Sequence, residues 1–187
     1  QMAASSLLVF LALVPAAISQ SCSGSKVPLA ERTALVSEHN RFRAAVASGT
    51  YKAGPGTLPK ANQTMPTVSW DCELEKTAQV WSDGCVFKHS GGAYGENIYW
   101  ISSKNLTGRG LSAAKLWGDG EFQKPGWDLA ILKKFAMTKN PVTGHATQMA
   151  WQKTTKVGCG FSICPTGTFV VCQYLKIGNY LNSVVYL

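Results

Sequence analysis

Six cysteines constrain what this chain can fold into more than any other feature of its sequence: Cys22, Cys72, Cys85, Cys159, Cys164 and Cys172. Their chemistry depends on the compartment that the protein enters, and the first residues bear on it. The stretch from Met2 to Ser19 has no charged side chain, contains an eight-residue apolar run and ends in small residues. This pattern is typical of a signal peptide, which we predict over residues 1–19.

Export to an oxidising compartment has two chemical consequences. An even number of cysteines there predicts three disulfide bonds. Metal binding by the thiolates is the weaker alternative, because the sequence has no Cys-x-x-Cys pair. Export also makes the two Asn-x-Thr sequons, at Asn62 and Asn105, candidate N-glycosylation sites.

The remaining 20–187 segment has the length and composition of a single globular domain. Hydrophobic residues make up 45% and charged residues 15% of the sequence, which excludes a disordered chain. The predicted signal peptide is too short to span a bilayer, and no later stretch approaches the roughly 20 apolar residues that a spanning helix needs. We therefore expect a secreted, extracellular protein with no transmembrane segment.

The formal net charge of +8 favours acidic partners such as nucleic acid, anionic lipid or glycosaminoglycan. The basic residues are scattered, however, and the densest groups are only Lys133–Lys134 and Lys153 with Lys156. The sequence has no basic run with interleaved aromatic residues, the pattern that would follow a phosphate backbone. Together with secretion, this predicts a solvated basic surface and no nucleic-acid partner.

Hydrophobic periodicity alternates between helical and strand patterns, which indicates an α+β domain. It predicts helices over 31–48, from an N-cap at Asp71 to about 84, from Ser112 onward, and over 127–135. It predicts strands over 94–101, 156–163 and 168–175. His39 lies on the apolar stripe of the first helix, where we expect a buried, hydrogen-bonded histidine, and we expect the six tryptophans mainly in the core.

The last two predicted strands are joined by Cys164-Pro-Thr-Gly167, which indicates a β-hairpin. A turn there places Cys159 opposite Cys172, at the Cα separation of about 4.5 to 5.5 Å that a disulfide can bridge. Cys164 lies at the turn and must pair elsewhere. Its candidates are Cys22, Cys72 and Cys85.

Four segments in order resemble the motifs of the CAP superfamily (cysteine-rich secretory proteins, antigen 5 and pathogenesis-related 1): Glu38–Arg43 (EHNRFR), Gly95–Ile98 (GENI), Gly144–Trp151 (GHATQMAW) and Val170–Tyr180 (VVCQYLKIGNY). The four motifs span nearly the whole predicted domain. Within the superfamily, the chain is most similar to nematode venom allergen-like or activation-associated secreted proteins. The resemblance implies a three-layer α-β-α sandwich with a small antiparallel sheet. It also implies the disulfide pairs Cys22–Cys72, Cys85–Cys164 and Cys159–Cys172.

The same resemblance implies a central cleft with two histidines and two acidic residues. His89, Glu96 and His145 match the family positions, whereas the fourth position falls on Gly120, between Asp119 and Glu121. We assign the fourth role to Glu121, with Asp119 as the alternative. Imidazole and carboxylate groups suit Zn²⁺ or another divalent cation, and binding should weaken below about pH 6, where unperturbed histidines take up a proton. The alternative is that these side chains only hydrogen-bond one another and join the layers.

Three functions follow from the sequence. By resemblance, the chain is a non-enzymatic binding protein that takes up a sterol or a fatty acid in an apolar cavity. The alternative is a secreted interaction protein that engages a host cell-surface or serum protein. A hydrolase is the least favoured: Ser90 adjoins His89, but no Gly-x-Ser-x-Gly or His-Glu-x-x-His motif is present.

Overall fold

The computed structural model describes residues 21–186, so the predicted signal peptide lies outside the described residues. The helices are α1 (Leu29–Ala47), α2 (Cys72–Asp83), α3 (Arg109–Trp117), α4 (Asp119–Phe122) and α5 (Gly144–Met149), with a 3₁₀ turn over Leu129–Leu132. The strands are β1 (Lys52–Ala53), β2 (Gly56–Thr57), β3 (Ser69–Trp70), β4 (Gly95–Ile101), β5 (Lys156–Cys164) and β6 (Gly167–Leu175). The mixture of helices and strands confirms the predicted α+β class.

A four-stranded sheet in the order β3-β5-β6-β4 forms the centre of the fold. The three long strands are antiparallel, as predicted, and the β5–β6 hairpin places Cys159 directly opposite Cys172. The two-residue strand β3 adds to β5 in the parallel sense and was not predicted. β1 and β2 form a separate small hairpin between α1 and β3.

The two faces of the sheet pack against different helices, which gives the predicted three layers. Along β6, Val170, Cys172 and Tyr174 belong to the large core, and α1, α3 and α5 pack around that core. The alternate residues Phe169 and Val171 belong to a smaller cluster with Ala78 of α2. This period-2 alternation is the pattern of a sheet covered on both faces.

Helix α2 lies close to β5 because two glycines leave room for it. A Cβ atom on Gly158 would lie 2.3 Å from the Glu75 nitrogen, and one on Gly160 would lie 2.3 Å from the Gln79 Cα. The helix begins as predicted, with the Asp71 carboxylate accepting hydrogen bonds from two backbone N–H groups of the first turn. The Gly-Cys-Gly segment of β5 therefore sets how closely the outer layer packs.

Three disulfides fasten the layers together, and they are the pairs that the family resemblance implies. Cys159–Cys172 joins β5 to β6, with a Cα–Cα distance of 4.0 Å. Cys85–Cys164 joins the segment after α2 to the end of β5, and Cys22–Cys72 joins the N-terminal segment to the first turn of α2. Cys85–Cys164 and Cys22–Cys72 close loops of 79 and 50 residues. These long loops constrain the unfolded chain more than the 13-residue loop closed by Cys159–Cys172 does.

The predicted third helix is broken in two at Gly118. The Gly118 backbone (φ −80°, ψ −84°) ends α3 and begins α4 in a new direction. A side chain there would meet the Phe42 ring of α1, because a Cβ atom would lie 3.0 Å from it. The break matters for the cleft because it changes where the acidic side chains of α4 lie.

The tryptophans divide between the core and the surface. Trp70, Trp117, Trp127 and Trp151 are at most 5% exposed, as predicted, whereas Trp100 on β4 is 41% exposed. In the part of the chain that the structure describes, no helix combines the length and the apolar character needed to cross a membrane.

Candidate functional site

The first predicted pair, His89 and Glu96, lies where the segment after α2 meets the start of β4. The Nδ1 atom of His89 lies 2.9 Å from Glu96 Oε1. The same carboxylate accepts hydrogen bonds from the Ser90 backbone N–H and, at 2.6 Å, from the Ser90 hydroxyl. The Ser90 hydroxyl thus donates to a carboxylate and not to the His89 imidazole.

A buried side chain of the neighbouring strand supports this pair. Gln173 lies opposite Glu96 in the β4–β6 register and donates to Glu96 Oε2 over 3.1 Å. The side-chain oxygen of Gln173 accepts from the Thr77 hydroxyl of α2. The two hydrogen bonds together fix which end of the amide faces Glu96. Sequence analysis missed both residues because their role depends on strand register, which a short pattern does not reveal.

The second pair, His145 and Glu121, joins α5 to α4. The His145 Nδ1 lies 2.5 Å from Glu121 Oε1. The other carboxylate oxygen of Glu121 accepts from the backbone N–H groups of His145 and Ala146, each at 3.0 Å. Glu121 therefore orients the imidazole and also satisfies two unpaired N–H groups in the first turn of α5.

The break at Gly118 explains why Glu121, and not Asp119, reaches the histidine. Asp119 points the other way and binds Arg41 of α1 and the Tyr51 hydroxyl. In a helix that continued unbroken from Trp117, Gly120 would occupy the position of the family's second acidic residue. The structure thus brings together the pair that we assigned from the sequence.

A buried network continues behind His145. His39 Nδ1 lies 2.9 Å from the Leu35 carbonyl, which can only accept, so Nδ1 carries the proton and Nε2 accepts from the Tyr174 hydroxyl. That hydroxyl accepts from Asn97 Nδ2, which also donates to the His145 carbonyl. Burial lowers the pKa of His39 from 6.5 to about 4, so this histidine is neutral, as the sequence predicts for a structural residue.

Arg43 of α1 supports the other end of α5. Its guanidinium is almost fully buried and donates to the Met149 and Trp151 carbonyls at 2.7 and 2.9 Å, and also to the Thr154 carbonyl. Burial lowers the pKa of Arg43 to about 10, so the group remains cationic at neutral pH. The short helix α5 thus has a carboxylate at its N-terminus and a guanidinium at its C-terminus, as its dipole favours.

The electrostatics of the first pair are set by competing effects on Glu96. Partial burial raises the pKa of the Glu96 carboxyl, but hydrogen bonds from His89 and Ser90 outweigh it, and the pKa falls below its usual 4.5. The carboxylate is therefore ionised at neutral pH and can only accept. In the neutral imidazole of His89 this fixes the hydrogen on Nδ1 and leaves the lone pair on Nε2.

The predicted single cleft is divided into two neighbouring pockets. A pocket of about 250 Å³ contains His89 and Glu96, and one of about 290 Å³ contains Glu121 and His145. Strand β4 and helix α5 contribute to both. The second pocket has an apolar border of exposed side chains: Phe87, Trp100, Leu116 and Val142.

The four predicted ligands therefore form two His–Glu pairs and not one cluster. Within residues 21–186, no three or more His, Cys, Asp or Glu side chains are grouped so that they could hold one metal ion. The donor set still fits a cation in part. In both pairs the carboxylate accepts a hydrogen bond from Nδ1–H, which is the outer arrangement that commonly orients a metal-binding imidazole and leaves Nε2 available.

Both predicted sequon asparagines, Asn62 and Asn105, are exposed. The Asn105 side chain accepts from the Thr107 N–H in a local turn. Their exposure leaves the acceptor amides accessible, and glycosylation of either residue stays a prediction.

Comparisons with known proteins agree with the fold. Residues 36–174 match the model of the CAP family, described as the cysteine-rich secretory protein family. The chain is 36% identical to the Ancylostoma secreted protein of Ancylostoma caninum over 92% of its own length, but it spans only 42% of that protein. It is 34% identical to venom allergen 5 of Rhynchium brunneum, covering 83% of this chain and 72% of the relative.

A solved structure, NaASP2 with Zn²⁺, is 35% identical and superposes with a TM-score of 0.79, covering 89% of this chain and 90% of NaASP2. The family match covers more than half of the chain, and it includes His89, Glu96, Glu121 and His145. With its three layers and its motifs in order, this chain is a member of the CAP family.

Proposed function

We propose that this chain is a secreted, non-enzymatic binding protein in which a divalent cation such as Zn²⁺ binds between the two neighbouring pockets, to Nε2 of His89 and Nε2 of His145. The observation that carries the proposal is the shared geometry of the two pairs. In each pair Nδ1–H donates a hydrogen bond to the carboxylate, which leaves the Nε2 lone pair available to a cation. Glu96 and Glu121 act as outer partners that orient the rings.

Two protein ligands are fewer than the three or four of most zinc sites, so we expect weaker binding than at a structural zinc site. The similarity to NaASP2, which is known with Zn²⁺, supports the proposal. The bound cation would supply a Lewis acid or a bridge to a partner's acidic group.

Calorimetric titration with Zn²⁺ at pH 7.4 and 5.5 tests this proposal. We expect His89→Ala and His145→Ala each to lower the affinity at least tenfold, and the wild type to bind more weakly at pH 5.5 because protons compete for the imidazole nitrogen. His39→Gln is the control for the loss of an imidazole, since His39 is buried and lines neither of the two pockets. Equal affinity in the wild type and His89→Ala would place the cation elsewhere.

A second candidate function is uptake of a lipid, a sterol or a fatty acid, in the pocket beside His145. The favouring observation is its border, where the four exposed apolar side chains Phe87, Trp100, Leu116 and Val142 surround a polar His–Glu pair. Such a contiguous exposed apolar surface marks an interaction site more often than isolated residues do.

Native mass spectrometry of the purified protein, and cholesterol or fatty-acid uptake after delipidation, test this candidate. We expect Trp100→Ala to reduce uptake, with Ile163→Ala as a control at an exposed apolar residue outside the pocket. The same surface could instead engage a host protein. A saturable complex recovered from host serum, weakened by Trp100→Ala in a protein that takes up no lipid, would favour that alternative.

A further inference from the structure

Strand β4 ends the four-stranded sheet, and within residues 21–186 no strand pairs with its outer edge. Trp117 of α3 donates its indole N–H to the Ile98 carbonyl over 3.0 Å, so this carbonyl points away from β6. In an antiparallel pair, the N–H and C=O of one residue point the same way, and successive residues alternate. The backbone groups of Ile98 and Trp100 therefore lie on the outer edge, while those of Tyr99 bond to β6.

The outer backbone groups of this stretch are largely unpaired. The Ile98 N–H and both the N–H and the C=O of Trp100 have no hydrogen-bond partner among the described residues. Toward the start of the strand, α5 lies against the edge, since Asn97 Nδ2 donates to the His145 carbonyl. The open edge of β4 thus runs from Ile98 to Trp100. It contains no proline and no charged residue, the usual means of preventing another chain from pairing with an edge.

The pocket of about 290 Å³ runs along this open edge, and its lining includes Ile98, Tyr99 and Trp100. One side of the edge is aromatic. Tyr99 belongs to the large core, so the side chains of Ile98 and Trp100 lie on the opposite face of the sheet. Phe87 is 60% exposed and packs against Phe169 on that face. A side chain that an added strand pointed to this face would meet Phe87 and Trp100.

The other side of the same pocket is basic. Lys124, from the segment after α4, lines the pocket, is exposed and has no ion pair within the described part of the chain. The acidic residue of the lining is Glu121, whose carboxylate is already bound by His145 and two backbone N–H groups. With the net charge of +8, this favours a partner with acidic side chains. A second copy of this chain fits less well, because it would bring the same positive charge.

We propose that an extended acidic segment of a partner protein adds to the open edge of β4 as a further strand. Its backbone bonds to the N–H and C=O of Trp100 and to the N–H of Ile98. Because successive side chains of a strand point to opposite faces, its apolar residues contact Phe87 and Trp100, while its acidic residues face Lys124. This inference rests on the protein-binding alternative given above for that surface, and it needs neither a bound cation nor a lipid.

Amide NMR of the delipidated full chain in EDTA tests the proposal. The probe is an acetylated, amidated hexapeptide of alternating valine and glutamate, which in extended form has its apolar and acidic side chains on opposite faces. We expect saturable shifts and slower hydrogen exchange at the Ile98 and Trp100 amides. The Tyr99 amide, already bonded to β6, should keep its exchange rate. The same peptide N-methylated at every residue cannot donate, and should bind about tenfold more weakly or less.

Variants separate backbone pairing from side-chain contact. Trp100→Pro removes the outward N–H together with the indole, whereas Trp100→Ala removes the indole alone. Proline is tolerated at an edge where the lost N–H points away from the sheet. We expect Trp100→Pro to weaken peptide binding about fivefold beyond the loss in Trp100→Ala. Lys124→Gln should weaken it about threefold, whereas the control Lys134→Gln, which removes the same charge outside the pocket, should not.

Peptide binding that leaves exchange of the Ile98 and Trp100 amides unchanged would overturn strand addition. If a serum complex were still weakened by Trp100→Ala, the protein-binding alternative would stand without it. Absence of peptide binding, or equal binding of a valine–lysine peptide, would also overturn the proposal. A dimeric wild type with a monomeric Trp100→Pro variant would assign the edge to a second copy. Exchange in the wild type and the N-methylated peptide decide the question even if Trp100→Pro does not fold.

Discussion

The two His–Glu pairs have the same hydrogen bond but differ in what holds them. His89 is 59% exposed, lies on a loop and is paired with a carboxylate that other side chains position. His145 is 25% exposed and belongs to the short helix α5. The carboxylate that binds its imidazole, that of Glu121, also accepts hydrogen bonds from the first backbone N–H groups of this helix. The first pair can be altered without disturbing the fold, whereas the second is part of the fold. Similar chemistry at two positions therefore does not imply similar tolerance to substitution.

The largest expected difference is in the stability of carboxylate variants. Glu121→Ala removes the acceptor of two backbone N–H groups and of His145, and should lower the free energy of unfolding by about 3 to 4 kcal/mol. Glu96→Ala should cost less, about 1 to 2 kcal/mol, since His89 and Ser90 can reach water and only Gln173 would be left buried. Guanidinium unfolding at pH 7.5 with the disulfides intact measures both. Equal costs would contradict the distinction between the pairs.

The second prediction concerns the buried network behind His145. Because the pKa of His39 is about 4 in the folded state and about 6.5 when unfolded, the unfolded chain binds more protons between these values. Stability should therefore fall as the pH decreases from 6.5 to 4, by up to 2.5 × 1.36, or about 3 kcal/mol.

Unfolding measured at pH 7.5, 5.5 and 4.5 checks this effect by comparison with His39→Gln, which cannot titrate. We expect the stability gap between the two proteins to narrow in acid. A gap that stays constant with pH would show that His39 does not control acid stability.

The smallest expected effect concerns the charge of the Glu96 carboxylate in the first pair. Glu96 has a lowered pKa in the folded state, so its contribution is present above its unfolded pKa and is lost as the pH falls through the folded value. Glu96→Gln should cost about 1 kcal/mol at pH 7, since the amide keeps one acceptor oxygen and His89, the partner of the carboxylate, is largely exposed. The variant and the wild type should converge near pH 3. The unfolding free energies at these two pH values measure the difference, and a gap that persists at pH 3 would identify packing as its cause.

The elements predicted well are those whose signals are local. The N-cap at Asp71 and the hairpin that ends in Cys164 and Gly167 are encoded by a few adjacent residues, and the structure has both. The two-residue strand β3 and the six-residue helix α5 were not predicted. Both are too short for a periodic pattern, and they exist because other segments bind their backbone groups.

The site was predictable as a set of residues but not as an arrangement. His89, Glu96 and His145 follow from the family motifs, and Glu121 needed an assumption about helix register. The backbone at Gly118 decides that register through its contact with Phe42 of α1, which is 76 positions away in sequence. The division of the cleft into two pairs, and the role of Gln173, depend on strand pairing that the sequence does not state.

Helix α5 shows how the geometry of this site can be inherited. Six residues are too few to form a stable helix in water. Its ends are satisfied by Glu121 and Arg43, which belong to α4 and α1. A peptide with the sequence of α5, or a foreign scaffold into which that sequence was grafted, would therefore lack the helix and the orientation of His145. In a redesign of this cleft, the smallest transferable unit is α5 together with these two distant side chains.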